Sequence, residues 1–384
     1  MTQPTSTGDK PIALHVAVPH RDQSYDLIVG PGLLARLGTE IRRVLPKAAR
    51  ALVVSDENVA AHYLESVREQ LREAEFEVFE RVMSPGEPTK NVEALIDIVS
   101  FAVEQGISRE DLVVSLGGGV IGDLGGLVAA TFMRGIPFVQ VPTSLLAQVD
   151  ASVGGKVAID LPVGKNLFGA FHFPQLVAID PQVLSTLPDR ELSCGLAEMF
   201  KHAALFSPEH FTELEQACPA MLARDVGVLS RLVATSVAHK ARCVSRDPLE
   251  HDEAGAAGRV LLNLGHTVGH GLELGSDFEL QHGEAVALGL IATARISARK
   301  CGADEQLEAR FVSALAAAGL PTNLDEWCRR IGYKTLERLI TRDKKRKAGA
   351  EITYVGLAQL GQPRLLRLRA SEIVHLLRPT SSDA

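Results

Sequence analysis

Short β-branched runs alternate with amphipathic stretches up to about residue 180, and after Pro188 that alternation stops. The runs are ALVVSD (51–56), EVFERVM (77–83), DLVVSL (111–116) and FVQVP (138–142), with helical spacing over 58–74 and 91–105 between them. Strand, helix and strand in succession give parallel neighbours with the helix laid across one face, so this half predicts a mostly parallel α/β sheet. Beyond Pro188, the segments 190–205, 209–222, 226–245, 266–274, 283–301 and 304–318 carry Ala and Leu at helical spacing and predict an all-α second half. A late piece, 351–368, reads as a small β-hairpin. Two domains are expected, 1–182 and 183–384, and a chain of 384 residues, 46% of them hydrophobic, is long enough to bury a core in each.

Charge and cysteine usage exclude several classes of function. A formal charge of -7 gives no general pull toward nucleic acid or anionic membrane, so any phosphate must be met by a local basic pocket. The five cysteines are scattered and lack CxxC spacing, which argues against a disulfide framework or a thiolate zinc site and fits a reducing cytoplasm. The polar opening MTQPTSTGDKP lacks the order of a signal peptide, and no apolar run reaches the roughly 18 residues of a membrane helix.

Three groups of residues can carry chemistry. GGGVIGD (117–123) follows a strand and opens a helix, so Gly117, Gly119 and Gly122 have the spacing of a dinucleotide-binding turn, although a plain strand-to-helix turn has the same look. It is not the first strand-to-helix turn, and the next strand ends without an acid for a ribose. Asp56 and Asn58, at the end of an earlier strand, and Glu87 and Lys90, in the loop SPGEPTK, offer polar groups instead. The second group is Glu198 in CGLAEMFKH, His266 and His270 in LNLGHTVGH, and His282 in LQHGE. One carboxylate with imidazoles from separate helices suits Zn²⁺ and leaves a position open for substrate. The third is a set of cations inside apolar or glycine-rich text: Arg134, Lys156, Lys165, Lys201, Lys240, Arg259 and the run DKKRK (343–347), suited to a polyanionic substrate, although DKKRK also reads as a solvated turn.

In order and over nearly the whole chain, GGGVIGDLGG, ATFMRGIPFVQVPTSLLAQVDASVGGKVAIDLPVGKNLFGAFH, GLAEMFKH, LLNLGHTVGH, HGE and DKK resemble the 3-dehydroquinate synthase family of sugar-phosphate cyclases. The resemblance implies a nucleotide-binding α/β domain followed by a helical metal domain, an active site between them, and a homodimer. It implies Zn²⁺ or Co²⁺ on Glu198, His266 and His282, with His270 serving the substrate. NAD is expected at Asp56, Asn58, Glu87, Lys90, Gly118, Gly119, Val120, Asp123, Thr143, Ser144 and the loop from Val183 to Thr186, with Lys156 and Lys165 near both ligands. Arg134, Asp150, Lys156, Asn166, Lys201, Lys240, Arg259, Asn263 and Lys344 match the positions at which the family binds 3-deoxy-D-arabino-heptulosonate 7-phosphate, which it converts to 3-dehydroquinate and phosphate. In that chemistry NAD is recycled, and the departing phosphate collects the proton itself. The segment PLEHDEAGAAG (248–258) is longer than the family's usual one; Gly255 stands where a glutamate is expected, with Glu250 and Glu253 as substitutes. That departure keeps open other cyclases, acting on sedoheptulose 7-phosphate or aminated analogues, and, more remotely, a metal-dependent polyol dehydrogenase.

Overall fold

The computed structural model describes residues 24–251, 258–343 and 351–379. Its first half runs β1 (Asp26–Val29), α1 (Leu37–Val44), β2 (Arg50–Asp56), α2 (Glu57–Glu73), β3 (Glu77–Met83), α3 (Val92–Glu104), β4 (Leu112–Gly117), α4 (Gly119–Thr131) and β5 (Phe138–Pro142). A π-helical turn (Ala147–Ala151) leads to a hairpin of β6 (Lys156–Leu161) and β7 (Gly164–Phe171), and β8 (Leu176–Ile179) closes this half. Six strands form one sheet in the order β1-β8-β5-β4-β2-β3, every neighbouring pair parallel. β4 and β5 are buried throughout because both faces of the sheet are covered, which is why their text is continuously apolar rather than alternating. One apolar cluster fills the face under α1 and α2, and another fills the opposite face under α3, α4 and β6.

The second half contains α5 (Asp189–Phe206), α6 (Pro208–Leu222), α7 (Val226–Arg246), α8 (His266–Gly275), α9 (His282–Lys300), α10 (Gln306–Ala317), α11 (Leu324–Ile331) and α12 (Tyr333–Asp343). An antiparallel hairpin of β9 (Ile352–Gln359) and β10 (Gln362–Leu368) follows, and then α13 (Ala370–Leu377). Its core is continuous with the sheet: Val177 and Ile179 of β8 pack with Leu145 and Val149 against the apolar faces of α5, α7 and α9. Each expected strand and helix is present to within about two residues. The β6–β7 hairpin, β1, α1, β8 and the last three helices are additional to the expected elements. Among the described residues no helix is long and apolar enough to cross a membrane.

Candidate active site

The strand order reverses between β2 and β4: the chain leaves β2 for β3 on one side and then returns to build β4, β5 and β8 on the other. Helices at such a point diverge to opposite faces and open a crevice at the carboxyl ends of the strands. Asp56 ends β2 and Gly117 ends β4, and the Ser55 hydroxyl donates to Leu116 O at 2.8 Å across the pair. The Asp56 side chain caps α2 by accepting from the backbone N–H groups of Asn58 (3.0 Å) and Val59 (3.1 Å), which holds it at the rim.

The glycines of the turn divide into two kinds. A Cβ on Gly117, Gly122, Gly125 or Gly126 would stand 2.6 Å from Ile121 Cβ, 2.8 Å from Gln140 Oε1, 2.3 Å from Ser115 Oγ or 2.4 Å from Val157 Cγ1, so packing requires them. A Cβ on Gly118 or Gly119 would meet nothing closer than Ser144 Oγ or Ala151 Cβ, both at 3.5 Å. The protein itself leaves room for a side chain there; a group lying against the backbone would not. The first N–H groups of α4 have no partner within the helix, and Gly118 caps it without a side chain, so an anionic pyrophosphate fits this end.

Beside the turn, the buried Lys90 ammonium meets Asp123 at 2.6 Å and donates to the Asn166 amide oxygen. The Lys90 carbonyl accepts from Asp160 N (2.8 Å), and Asp160 accepts from Asn166 N (2.8 Å), so the loop 84–90, α4 and the β6–β7 hairpin are tied at one place. Burial raises the carboxyl of Asp123, against the nearby Lys90 charge, and raises that of Glu87, against Lys90 and Lys165. Thr143 is buried, its N–H donating to Gly117 O at 3.0 Å, and Ser144 Oγ accepts from Ala147 N. The Tyr63 hydroxyl donates to Val183 O (2.9 Å) and lies 2.7 Å from Thr186 Oγ1, fixing the 183–186 turn against α2.

In the helical half, Glu198 projects from α5, His266 opens α8 and His282 opens α9. Nε2 of each histidine lies 3.5 Å from Glu198 Oε1, and the three ligand atoms lie within 4.8 Å of one another. Donors at roughly 2.1 Å from one ion with near-tetrahedral angles stand roughly 3.4 Å apart, so the spacing fits zinc or a similar divalent ion. Glu198 Oε1 is buried without a hydrogen-bond partner, an orphan that an ion would satisfy. Both rings are turned to offer Nε2: His266 Nδ1 donates to Leu264 O (3.0 Å), and His282 Nδ1 to Glu273 Oε2 (3.2 Å). Burial disfavours a charged His282, yet Glu198 and Glu273 on either side push its imidazole up to about 10, so the protein field wants positive charge there. Burial, with the Lys201 charge, holds His266 well below the usual imidazole range. The His270 ring stands 5.1 Å from that of His266 and 5.9 Å from that of His282.

A cationic cluster adjoins the triad. Asp150, in the π-helical turn, receives Lys240 Nζ at 2.6 Å and has Lys201 Nζ at 3.6 Å and His202 Nε2 at 3.4 Å. Lys201 also meets Glu198 Oε2. Burial works against both ammonium groups; two carboxylates reverse this for Lys201, whose pKa is raised, whereas Lys240, sharing one carboxylate with Lys201 and facing Arg259, is lowered. Burial pushes the His202 imidazole down to about 4, so it is neutral beside Asp150. Opposed charges packed this closely hold the two ammonium groups in fixed positions beside the triad.

Sequence profiles of the 3-dehydroquinate synthase N-terminal and C-terminal families match residues 80–194 and 195–346. The 3-dehydroquinate synthase of Symbiobacterium thermophilum is 46% identical over 329 residues, 85% of this chain and 90% of that protein. That of Caulobacter vibrioides is 48% identical over 305 residues, 79% and 81% of the two chains. The chain belongs to the 3-dehydroquinate synthase family. Among solved structures, the 2-epi-5-epi-valiolone synthase of Streptomyces hygroscopicus subsp. jinggangensis 5008, with NAD⁺ and Zn²⁺ bound, superposes with a TM-score of 0.84 at 26% identity, over 95% of this chain and 98% of that one.

Within this family member the fold gathers most of the expected residues. Lys165 reaches both halves, with Glu87 at 3.8 Å and Glu273 at 3.4 Å. Arg259 is buried and donates to the carbonyls of Gly154 and Pro248, both at 2.8 Å, while the Asn263 amide donates to Val260 O. Lys156 pairs with Glu250, which places that glutamate of the lengthened segment; Glu253, Gly255 and Lys344 lie outside the described residues. Arg134 is not gathered. It follows α4 at the amino edge of the sheet, where Ile136 N donates to Ala129 O and Val113 N to Pro137 O, at the other end of α4 from Gly118. It is exposed and has no charged partner among the described residues. Sequence reasoning missed Glu273 and His202. Glu273 falls seven residues after His266 and three after His270, on the same face of α8, a spacing that was visible; His202, next to Lys201, carried no such signal.

Proposed function

We propose that this protein is a 3-dehydroquinate synthase, releasing phosphate from 3-deoxy-D-arabino-heptulosonate 7-phosphate and closing the carbocycle of 3-dehydroquinate, a step toward aromatic amino acids. In class it is an NAD- and metal-dependent phosphorus–oxygen lyase, and a cytoplasmic homodimer with domains 1–182 and 183–384 belongs to the same reading. The observation that carries it is the Glu198–His266–His282 triad, two of its members buried, beside the Asp150–Lys201–Lys240 cluster. A polyol dehydrogenase needs the first and has no use for the second.

When bound, NAD and a divalent ion supply reversible hydride removal from a carbinol and polarisation of its oxygen. Gly118, Gly119 and Val120 receive the pyrophosphate on backbone N–H groups, with Asp56, Asn58, Glu87, Lys90, Asp123, Thr143, Ser144, Val183 and Thr186 around the rest of the nucleotide. Glu198, His266 and His282 hold the ion. Lys156, Lys201, Lys240, Asn166, Arg259, Asn263 and His270 orient the substrate, with Arg134 and Lys344 further contacts in this assignment. The cations would hold the phosphate dianion where, as its C–O bond breaks, it can take up the proton carried by the acidified carbon next to the ketone, so that position matters as much as charge. Asp150 keeps Lys201 and Lys240 in place between turnovers.

The test is to supply heptulosonate phosphate and, separately, sedoheptulose 7-phosphate to the NAD- and metal-loaded enzyme. Phosphate release from the first, with no lasting absorbance at 340 nm, is expected. Turnover of the second alone would overturn the named substrate, and lasting NADH without phosphate would overturn the cyclase reading altogether.

A further inference from the structure

The two histidines of the triad are oriented by different means. His266 Nδ1 donates to Leu264 O, a carbonyl two residues back on its own chain, so its ring is set by the local backbone. His282 Nδ1 donates to a side chain, Glu273 Oε2, at 3.2 Å. The other carboxylate oxygen of Glu273 faces Lys165 Nζ at 3.4 Å, and Lys165 lies over the Phe278 ring at 4.3 Å and reaches Glu87 of the sheet half at 3.8 Å. Glu273 itself is mostly buried, its side chain 12% exposed, while His282 is the more open ligand at 32% against 10% for His266. The ring with the most freedom is thus the one whose direction depends on a side chain, and that side chain is gripped from the β6–β7 hairpin.

We propose that Glu273 is a positioning residue of the metal centre, fixing His282 with Nε2 toward the ion, and that Lys165 holds Glu273 in place from the nucleotide-binding half. This rests on the metal site assigned under the proposed function. Glu273 touches neither ion nor substrate; it acts through His282. A carboxylate accepting Nδ1–H selects the tautomer with a free Nε2 lone pair and raises its basicity, and loss of such a partner costs about 10- to 100-fold in metal affinity. Lys165 adds less, because a partly exposed ion pair is screened.

The experiment uses chelator-stripped full-length protein without NAD or substrate, and measures Co²⁺ affinity by competition with a chromophoric chelator together with the visible Co²⁺ spectrum. Glu273→Ala is expected to weaken binding on the order of 10- to 100-fold and to alter the spectrum. Glu273→Gln, which keeps a neutral acceptor, falls between Ala and wild type, and Lys165→Met weakens binding about threefold. Excess metal restores most of the lost turnover in the Glu273 variants. Wild-type affinity in both Glu273 variants would overturn the positioning role, and wild-type affinity in Lys165→Met would overturn the cross-half link. If the wild type gains no Co²⁺ signal that depends on Glu198 and His266, the metal site itself fails, an outcome distinct from either. Matching circular dichroism of the stripped proteins separates lost affinity from lost fold, and Glu273→Gln, nearly isosteric, keeps the test open if Ala does not fold.

Discussion

The glycine turn at the carboxyl end of β4 and the ion cluster of the helical half are built by opposite physical means. At the turn the groups are rim-exposed and anchored by backbone: Asp56 is held by two N–H groups, and Gly118 and Gly119 present bare main chain with space above it. In the cluster Glu198, Lys201 and His202 are almost fully buried, Lys240 is buried and Asp150 is partly so, and each charge stands because another neutralises it. Asp56, Gly118 and Gly119 should therefore tolerate substitution without loss of fold while losing ligand. The cluster should lose both, because removing one buried ion leaves its partner uncompensated.

The largest effect tests the functional side of this contrast. Glu198→Gln and His266→Ala are expected to lower kcat by on the order of 10³, since polarisation by the ion is worth several kcal/mol in the transition state. Bound metal measured by elemental analysis should fall with it; full metal content in both variants would remove the triad from the site. The next effect tests stability. Asp150→Asn leaves Lys201 and Lys240 facing each other in a buried space and should cost about 3–5 kcal/mol in a urea titration. Asp56→Asn at the rim, where asparagine caps a helix equally well, should stay within about 0.5 kcal/mol. Equal losses in the two variants would erase the distinction between the regions.

The same contrast explains what could be read in the sequence. β2, β4 and β5 were legible because burial on both faces writes continuous apolar runs, the half-exposed edge strand β3 because of its Val and Phe, and the helices because they keep their 3.6-residue period. The hairpin was not, because β7 is exposed almost throughout and GKNLFGAF has no alternation to betray a strand. β1 and β8 are four residues each, too short to signal. In the site, the ligands themselves stood out as Glu and His in apolar helical text. Their arrangement did not: the crevice between β2 and β4 follows from strand order, and the Lys165–Glu273 contact joins residues 108 apart. Side-chain pairing over such distances is set by packing of whole elements, and a linear pattern carries no record of it.

A matched pair of glycine substitutions sharpens the contrast within a single helix. Gly125→Ala puts a Cβ 2.3 Å from Ser115 Oγ inside the sheet–helix interface and should cost about 1–3 kcal/mol. Gly119→Ala meets only Ala151 Cβ at 3.5 Å, so the melting temperature should hold or rise slightly while KM for NAD increases. A destabilised Gly119→Ala with unchanged NAD binding would mean that this glycine serves packing after all.

The smallest effect asks whether the fragility of the helical half ends at its ion cluster. His210 on α6 is 3% exposed, both ring nitrogens lack partners, and Glu213 Oε2 stands 3.8 Å from Nδ1. Burial, with repulsion from the Arg231 charge and from His239 and His202 whenever they are protonated, pushes its imidazole down to about 4 from the ordinary 6.5. Between those values the unfolded chain binds a proton that the folded protein refuses, so stability is full above about pH 6.5 and falls as pH drops toward 4. After allowance for screening by nearby solvent, the loss is on the order of 1–2 kcal/mol. His210→Leu removes the titrating group and should flatten the urea midpoint between pH 7 and 5, compared with a falling midpoint in the wild type. An equal fall in both would assign the acid sensitivity to the Asp150 cluster, where His202 also stays neutral, and would confine the half's electrostatic weakness to the active site.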